Sequence, residues 1–572
     1  MNDWYVRDWR TPIIVALAVT AAIFFAGTTT GRIYPWMLVA LFVGMSALVV
    51  LVMLGGSIGG VIGGGLMVAV AYRFHLNYIT TPIGASPQGQ PRTMDRIAET
   101  GIVDVGSGFY GEAPIHFIYG AVYTALSGIP AHDGILLYSL LNSAVLLLVS
   151  IGLLRLIGVR DARALALVAL LALVTTEGIR RSYWVVPQVT ATLVWWCALL
   201  VLVKHVQRPS KALFAVLALF AATLTFTHKL PLAVLAAVLL VLLVLLVADV
   251  ITWDSSEWFT PLYQVGSMLS FISVLVAAQL VYVGGLIGQV TRRIERLLAG
   301  ESGAVRGGTG EGGPEAAVEA LPGIIANFYE YPSAFMLFVE RGHGVWLLLA
   351  SGAAWAYLFF AQRDERDRSP TLVLLAVAAT GVALMAMGVV AITGMNPTRP
   401  LFLIEPVLVV LIVGAVWNLA DRLPNRTGTI GSVTTVLVVL LVASQVFAAS
   451  AAPDYANSPR YYADVPEAQA EATFCEYSTG DIYVDAHYDR FADINRGSCS
   501  DFESFGTSSD NELFNNEIEP ETHRTVAFRH DADVYLGQHE RWRLTWDPDE
   551  ELSTEYHRVY HNGGVSIFHS PV

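Results

Sequence analysis

The sequence predicts a mainly α fold: a polytopic bundle of about thirteen transmembrane helices, closed by a small β-rich C-terminal domain on the extracellular side. Three observations predict it. Hydrophobic residues fill 54% of the 572 positions and charged residues only 14%, against roughly 25% charged in a soluble globular protein. Apolar runs of about 20 residues, enough to cross a hydrocarbon core of roughly 30 Å, recur through the first 450 positions. The excess negative charge is confined to the end: residues 451–572 hold 24 Asp and Glu against 8 Arg and no Lys, a net of −16, while the rest of the chain stands at +2. This composition excludes an ordinary soluble enzyme. It also excludes a disordered chain, which carries more charge and too few apolar residues to collapse.

Taken in order, the predicted spans are 12–27, 35–54, 57–73, 135–157, 162–176, 185–205, 211–228, 231–250, 263–285, 344–361, 370–392, 400–418 and 429–449. An odd number of crossings puts the two ends on opposite sides. Arg7/Arg10, Arg155/Arg160/Arg163, Lys204/Arg208/Lys211, Arg363/Arg366/Arg368 and Arg422/Arg426 then share one face, which the positive-inside bias makes cytoplasmic. The N-terminus is cytoplasmic and the acidic tail extracellular. Arg292, Arg293 and Arg296 fall on the outer face, but they open a long loop, where the bias is weak. The count requires that the apolar stretch 113–128 does not cross. It is short, interrupted by His116 and bounded by Pro114 and Pro130, and reads as an interfacial or re-entrant helix.

Two long outer loops follow, 74–134 and 288–343, the second with a Gly-rich piece at 300–313. GGSIGGVIGGG (55–65), between spans two and three, has small residues four apart, which lets helix backbones approach closely. No GK[ST] follows it, as a phosphate-binding loop would need. The membrane domain is thus 1–450. In 451–572, DIYVDA (481–486), RTVAFR (524–529) and GVSIFH (564–569) alternate between polar turns and read as strands. Three cysteines make neither a disulfide scaffold nor a zinc cluster; Cys475 and Cys499 can pair if the tail is extracellular. Only three lysines (Lys204, Lys211, Lys229) stand beside 48 acidic residues, a balance suited to high salt. So acidic a tail argues against nucleic acid as a partner.

Charges at helix mouths carry the functional information in a membrane protein. The first outer loop offers Asp95, Glu99, Asp104, Glu112 and His116. Short outer connections add Glu177, Arg180 and Arg181 (TEGIRRSYW), His228 and Lys229 (THKLP), and Arg399 with Glu405 (NPTRPLFLIEP). Acids on one large loop facing bases on several short ones suit sugar transfer from a lipid phosphate. Arginines clamp phosphate, and a carboxylate takes the proton of an incoming hydroxyl. Each residue also has a plainer role: Arg180 and Arg181 as snorkelling side chains, His228 as a helix cap, Glu405 as the partner of Arg399, and Asp95 as part of the charged face of an amphipathic helix.

The run MDRIAETGIVDVGSGFYGEAPIHFIYGAVYTALSGIP resembles the first outer loop of the GT-C integral-membrane glycosyltransferases. RRSYWVVPQ, FTHKLPLA and MNPTRPLFLIEPVL resemble further outer-loop elements of the protein-mannosyltransferase and aminoarabinose-transferase-like branch. The closing run Tyr560–Val565 resembles the end of archaeal members. The resemblance implies an inverting hexosyl or mannosyl transferase that moves a sugar from a polyprenyl (dolichyl) phosphate carrier to a glycan, protein or lipid acceptor outside the membrane. It makes Asp95 the base, with Glu112 as second choice, and Arg180, Arg181, Lys229 and Arg399 ligands of the lipid phosphate, beside His116, His228 and Glu405. The family places an Asp about fifteen residues before the Gly of ETG; Ser86 stands there. Either Asp95 or Glu112 replaces it, or the chain is an inactive scaffold of the same fold. Some relatives use a divalent metal such as Mg or Mn, for which Asp95 and Glu112 could supply oxygens, but no carboxylate cluster or HxxxH pair demands one. A flippase or transporter is the remaining alternative, disfavoured by span centres almost free of charge. The sequon Asn425-Arg426-Thr427 falls in a predicted cytoplasmic loop.

Overall fold

A computed structural model describes residues 9–30, 35–79, 89–105, 109–131, 135–181, 186–253, 259–283, 334–361, 369–389, 398–422, 427–454 and 547–571, with short stretches elsewhere that include the strands given below. A helix occupies each of the thirteen apolar stretches. These are α1 (Arg10–Thr30), α2 (Pro35–Met53), α3 (Ile58–Ile79), α7 (Ile135–Leu156), α8 (Ala162–Leu173), α10 (Pro187–Gln207), α11 (Lys211–Thr225), α12 (Lys229–Trp253), α13 (Phe259–Tyr282), α14 (Ala334–Ala361), α15 (Ser369–Val389), α16 (Thr398–Arg422) and α17 (Thr427–Asp454). Five of them (α10, α12, α13, α15 and α16) hold a described segment long and apolar enough to cross a membrane, and in the other eight the described apolar segment is shorter. The protein is a multi-pass membrane protein.

Between these lie α4 (Gly89–Thr100), α5 (Phe109–Glu112), α6 (Ile115–Ser127) and α9 (Thr176–Arg181). α6 is the stretch expected not to cross. Pro114 precedes it, and Gly128, in the left-handed region at φ 69, ends it. Its 13 residues rise about 20 Å, short of a hydrocarbon core.

The centre of the bundle is α8. Asp161 caps it by accepting the N–H groups of Arg163 (2.8 Å) and Ala164 (3.2 Å), and every residue from 164 to 173 is buried. A helix apolar on all sides belongs in a core. α16 lies beside it, buried from 401 to 411. Pro406 inside α16 removes one backbone hydrogen bond of the helix, and on the same turn the Leu403 carbonyl accepts the indole N–H groups of Trp195 (3.2 Å) and Trp196 (3.1 Å) from α10. Helices at the rim turn apolar side chains outward, such as Leu240, Val244 and Val247 of α12 and Val433, Val436, Leu437 and Leu440 of α17. Such surfaces suit hydrocarbon and not water.

The glycines of 55–65 do pack helices. A Cβ at Gly60 would lie 3.2 Å from the Trp9 carbonyl and one at Gly64 3.1 Å from Ala16, while one at Gly65 would run into Leu170 of α8.

Two small sheets form among the described residues. One has the order β1 (Ile324–Ala326), β5 (Arg541–Leu544), β4 (Tyr535–Leu536). The other runs β2 (Ile482–Tyr483), β3 (Thr525–Arg529), β7 (Val565–His569), β6 (His557–His561), with α18 (Pro548–Glu555) before β6. The three expected strands are present as β2, β3 and β7, the first cut to two residues. One feature departs from expectation: β1 comes from the second long loop and pairs antiparallel with β5, Ile325 opposite Arg543. Pairing across more than 200 residues leaves no local pattern to read. Ser86, the Gly-rich 300–313, Arg292, Arg293, Arg296, Cys475 and Cys499 lie outside the described residues.

Candidate functional site

The chemistry-bearing residues gather where α5 and α6 meet the turn between α11 and α12. The N–H of Ile115, first residue of α6, donates to the Phe226 carbonyl of that turn (3.2 Å). This docking buries His116 completely. Its Nδ1 lies 2.8 Å from Thr190 Oγ1, in the first turn of α10, and its ring meets Phe117 edge-on. Across the turn, His228 is also buried, and its Nδ1 accepts the N–H of Leu230 (3.3 Å). An accepting Nδ1 places the proton of the neutral ring on Nε2.

Both imidazoles are held neutral. Burial pushes His116 down to about 3, helped by the nearby His228. Burial pushes His228 down to about 3 as well, with Arg399 and then Lys229 adding to it. Arg399 also bears on Tyr110, countering the burial that raises its phenol. Arg399, at the start of α16, thus bears electrostatically on both α5 and the 226–229 turn. Arg399 is exposed and Lys229 half-buried. Four predicted residues from three separate segments, His116, His228, Lys229 and Arg399, are thus linked electrostatically through His228. Tyr110 and Thr190 join them and were not singled out in the sequence, where neither a loop tyrosine nor a threonine three residues after Pro187 is distinctive.

The two candidate bases are set apart. Glu112 is exposed on α5, two residues from Tyr110. Asp95, half-buried on α4, binds the far end of α6: its Oδ1 accepts the N–H of Ala131 (2.6 Å) and the hydroxyl of Thr124 (3.1 Å). Thr124 lies eight residues beyond His116, roughly 12 Å along the helix. The sequence reading of Asp95 and Glu112 as two ligands of one ion does not fit this arrangement, because one carboxylate stands at each end of α6. Among the described residues no three His, Cys, Asp or Glu side chains gather as a metal site.

Glu405 is buried within α16 and accepts backbone N–H groups of α9, rather than standing with Arg399 alone. Arg180 and Arg181 are carried by α9, and their side chains lie outside the described residues. α6 leaves Ile118, Tyr119, Val122 and Leu126 exposed at helical spacing, an apolar face suited to lie in a membrane interface. Chemically, the site offers two cations and two neutral imidazoles near an exposed carboxylate. Such a set can hold a phosphate and leave a base within reach of a hydroxyl.

No family model matches the chain, and no curated protein matches its sequence. Solved structures match its fold. The Archaeoglobus fulgidus oligosaccharyltransferase in complex with Zn and sulfate aligns with a TM-score of 0.51 at 13% identity, over 82% of this chain and 68% of that one. The archaeal oligosaccharyltransferase AglB from Archaeoglobus fulgidus, in complex with an inhibitory peptide and a dolichol-phosphate, gives 0.50 at 12% identity, over 82% and 69%. ArnT from Cupriavidus metallidurans bound to undecaprenyl phosphate gives 0.47 at 13%, over 88% and 97%. At these identities the likeness is one of fold: the chain has the fold of the Archaeoglobus fulgidus oligosaccharyltransferase.

Proposed function

We propose that this chain, built on the fold of an archaeal oligosaccharyltransferase, is itself an inverting membrane glycosyltransferase. It takes a single hexose, such as mannose, from a polyprenyl (dolichyl) phosphate and gives it to a glycan, protein or lipid acceptor outside the membrane. The observation that carries this reading is the burial of His116 and His228 at the Ile115–Phe226 contact, with Arg399 and Lys229 bearing on His228 and the exposed Glu112 four residues before His116. Glu112 takes the proton of the acceptor hydroxyl, and that oxygen attacks the anomeric carbon. The bond from that carbon to the phosphate oxygen breaks on the opposite face, inverting the centre. The polyprenyl phosphate leaves with its charge held by Arg399 and Lys229, and His228 donates to it from Nε2. Arg180 and Arg181 complete the cation set. Asp95, engaged at the far end of α6, serves as a clamp in this reading. Dependence on a divalent metal is no part of it.

The remaining assignments belong to the same proposal. All thirteen helices cross, the N-terminus is cytoplasmic, and 451–572 forms an extracellular domain. The β1–β5 pairing supports this topology, since four crossings separate the second loop from the tail. The acidic, lysine-poor tail supports an archaeal cell living in high salt.

The test is mass spectrometry of surface glycans from a deletion strain complemented by wild type, Glu112→Gln or Arg399→Ala. Deletion should shorten a glycan by one sugar, wild type should restore it, and neither correctly inserted variant should. If Glu112→Gln complements fully while Asp95→Asn fails, Asp95 is the base. If glycans stay unchanged while lipid-linked precursors build up on the inner leaflet, the chain is a flippase. If neither changes, it is a scaffold.

A further inference from the structure

Away from the candidate site, the bundle buries charge where a purely structural core would not. Arg73, near the end of α3, is 1% exposed, and Glu177 and Glu405 are each 1% exposed. Buried charges are costly unless hydrogen-bonded. Here they serve one short element. The first N–H groups of a helix have no partner within it, and in α9 all three come from residues packed inside the bundle. Each finds an acceptor on a distant helix. The N–H of Thr176 donates to Gln445 Oε1 of α17 (3.2 Å), that of Glu177 to Glu405 Oε1 (3.1 Å) and that of Gly178 to Glu405 Oε2 (3.1 Å). The Thr176 hydroxyl adds a bond to the Gln445 carbonyl (2.9 Å). From the other side, Arg73 Nη2 donates to the carbonyls of Leu173 (3.0 Å) and Gly178 (3.3 Å). Gly178 is therefore gripped at both its N–H and its carbonyl.

We infer that Glu405 and Arg73 are positioning residues: by gripping the first turn of α9 from α16 and α3, they fix where Arg180 and Arg181 stand relative to Arg399. Glu405 binds no substrate itself. Arg399 lies six residues before it on α16, so the grip on α9 and one cation of the site share a single rigid helix. Glu177 to Arg181 is one turn more. The inference rests on reading those arginines as ligands of the lipid phosphate, and the experiment separates the two.

The measurement is the Kd of dolichyl phosphate for the full chain in lipid nanodiscs, alongside its Tm. The proteins are wild type, Glu405→Gln, Arg73→Lys, the double variant Arg180→Ala/Arg181→Ala, and each single variant in that double background. Glutamine presents an NH2 to one of the two N–H groups that Glu405 accepts. Both bonds of Arg73 leave one nitrogen, Nη2, and the ammonium of a lysine, one bond nearer its own backbone, falls short of the two carbonyls. Each should weaken binding about tenfold alone, as loss of a charge-assisted bond predicts, and less than about twofold where Arg180 and Arg181 are already alanine. Equal weakening in both backgrounds, or none in either, overturns the positioning role while leaving the arginines as ligands. If the double arginine variant binds as wild type does, the phosphate-ligand reading fails and the positioning role fails with it. Should Glu405→Gln not insert, Arg73→Lys decides alone by the same comparison.

Discussion

Asp95 and Glu112 both satisfy the chemistry of a base, and their surroundings separate them. Asn at position 95 keeps an oxygen for the Ala131 N–H and the Thr124 hydroxyl but cannot take a proton. Asp95→Asn should therefore keep both stability and transfer. Asp95→Ala leaves those donors without their acceptor and should cost about 1–2 kcal/mol, read as a lower Tm. Inactive but fully stable Asp95→Asn would return the base to Asp95. The two histidines make a second prediction at this scale. Unfolded, they take up protons near 6.5; folded, they stay neutral down to about 3. Between those values the unfolded chain binds more protons, so stability falls as pH drops from about 6.5 toward 3 and is unaffected above. Tm measured from about pH 4 to 7 should slope less steeply in His116→Gln and His228→Gln than in wild type.

The element on which the site depends is the α4–α6 pair. Met94 is fully buried against Gly120, where any Cβ would run into its side chain. Asp95 follows Met94 in sequence, so displacing one shifts the other. Gly120→Leu should separate α4 from α6, expose the Asp95 clamp to water, and cost about 1–3 kcal/mol of stability, typical of overpacking and read as a lower Tm. Met94→Ala in the same chain should recover part of that loss. If Gly120→Leu leaves Tm unchanged, the packing is looser than its geometry states. The apolar run 113–128, broken by His116 and bounded by Pro114 and Pro130, made α6 legible in sequence as a short helix. Its partner α4 was legible as amphipathic. The contact between them was not, because Gly120 looks the same whether it faces a neighbour or open space.

At the scale of the molecule, the strand pair β1–β5 constrains topology independently of charge bias. Single cysteines introduced near 325 and near 543, in a chain with Cys197, Cys475 and Cys499 replaced, should react with a membrane-impermeant thiol reagent from outside intact cells. A cysteine near 365, in the Arg363–Arg368 cluster, should not. Labelling of 325 and 543 from opposite sides would break the pairing and the topology together. The acid excess of 451–572 repels itself at low ionic strength, and salt screens that repulsion. Tm should rise between dilute buffer and molar salt, and a flat response would remove the support for a high-salt habitat.

Composition and local pattern were enough for the helical membrane class, for the place of all thirteen apolar helices and for the short helix α6. Those properties follow from apolar length, period and the position of charge, all of which are local. The folded chain adds what no local pattern carries: His116 and His228 buried at the Ile115–Phe226 contact, Asp95 bonded at the far end of α6, and Glu405 and Arg73 bonded to α9. The reason is physical. A buried charge in a bundle is explained by what it bonds across the fold, and Glu405 and Gly178 stand 227 residues apart.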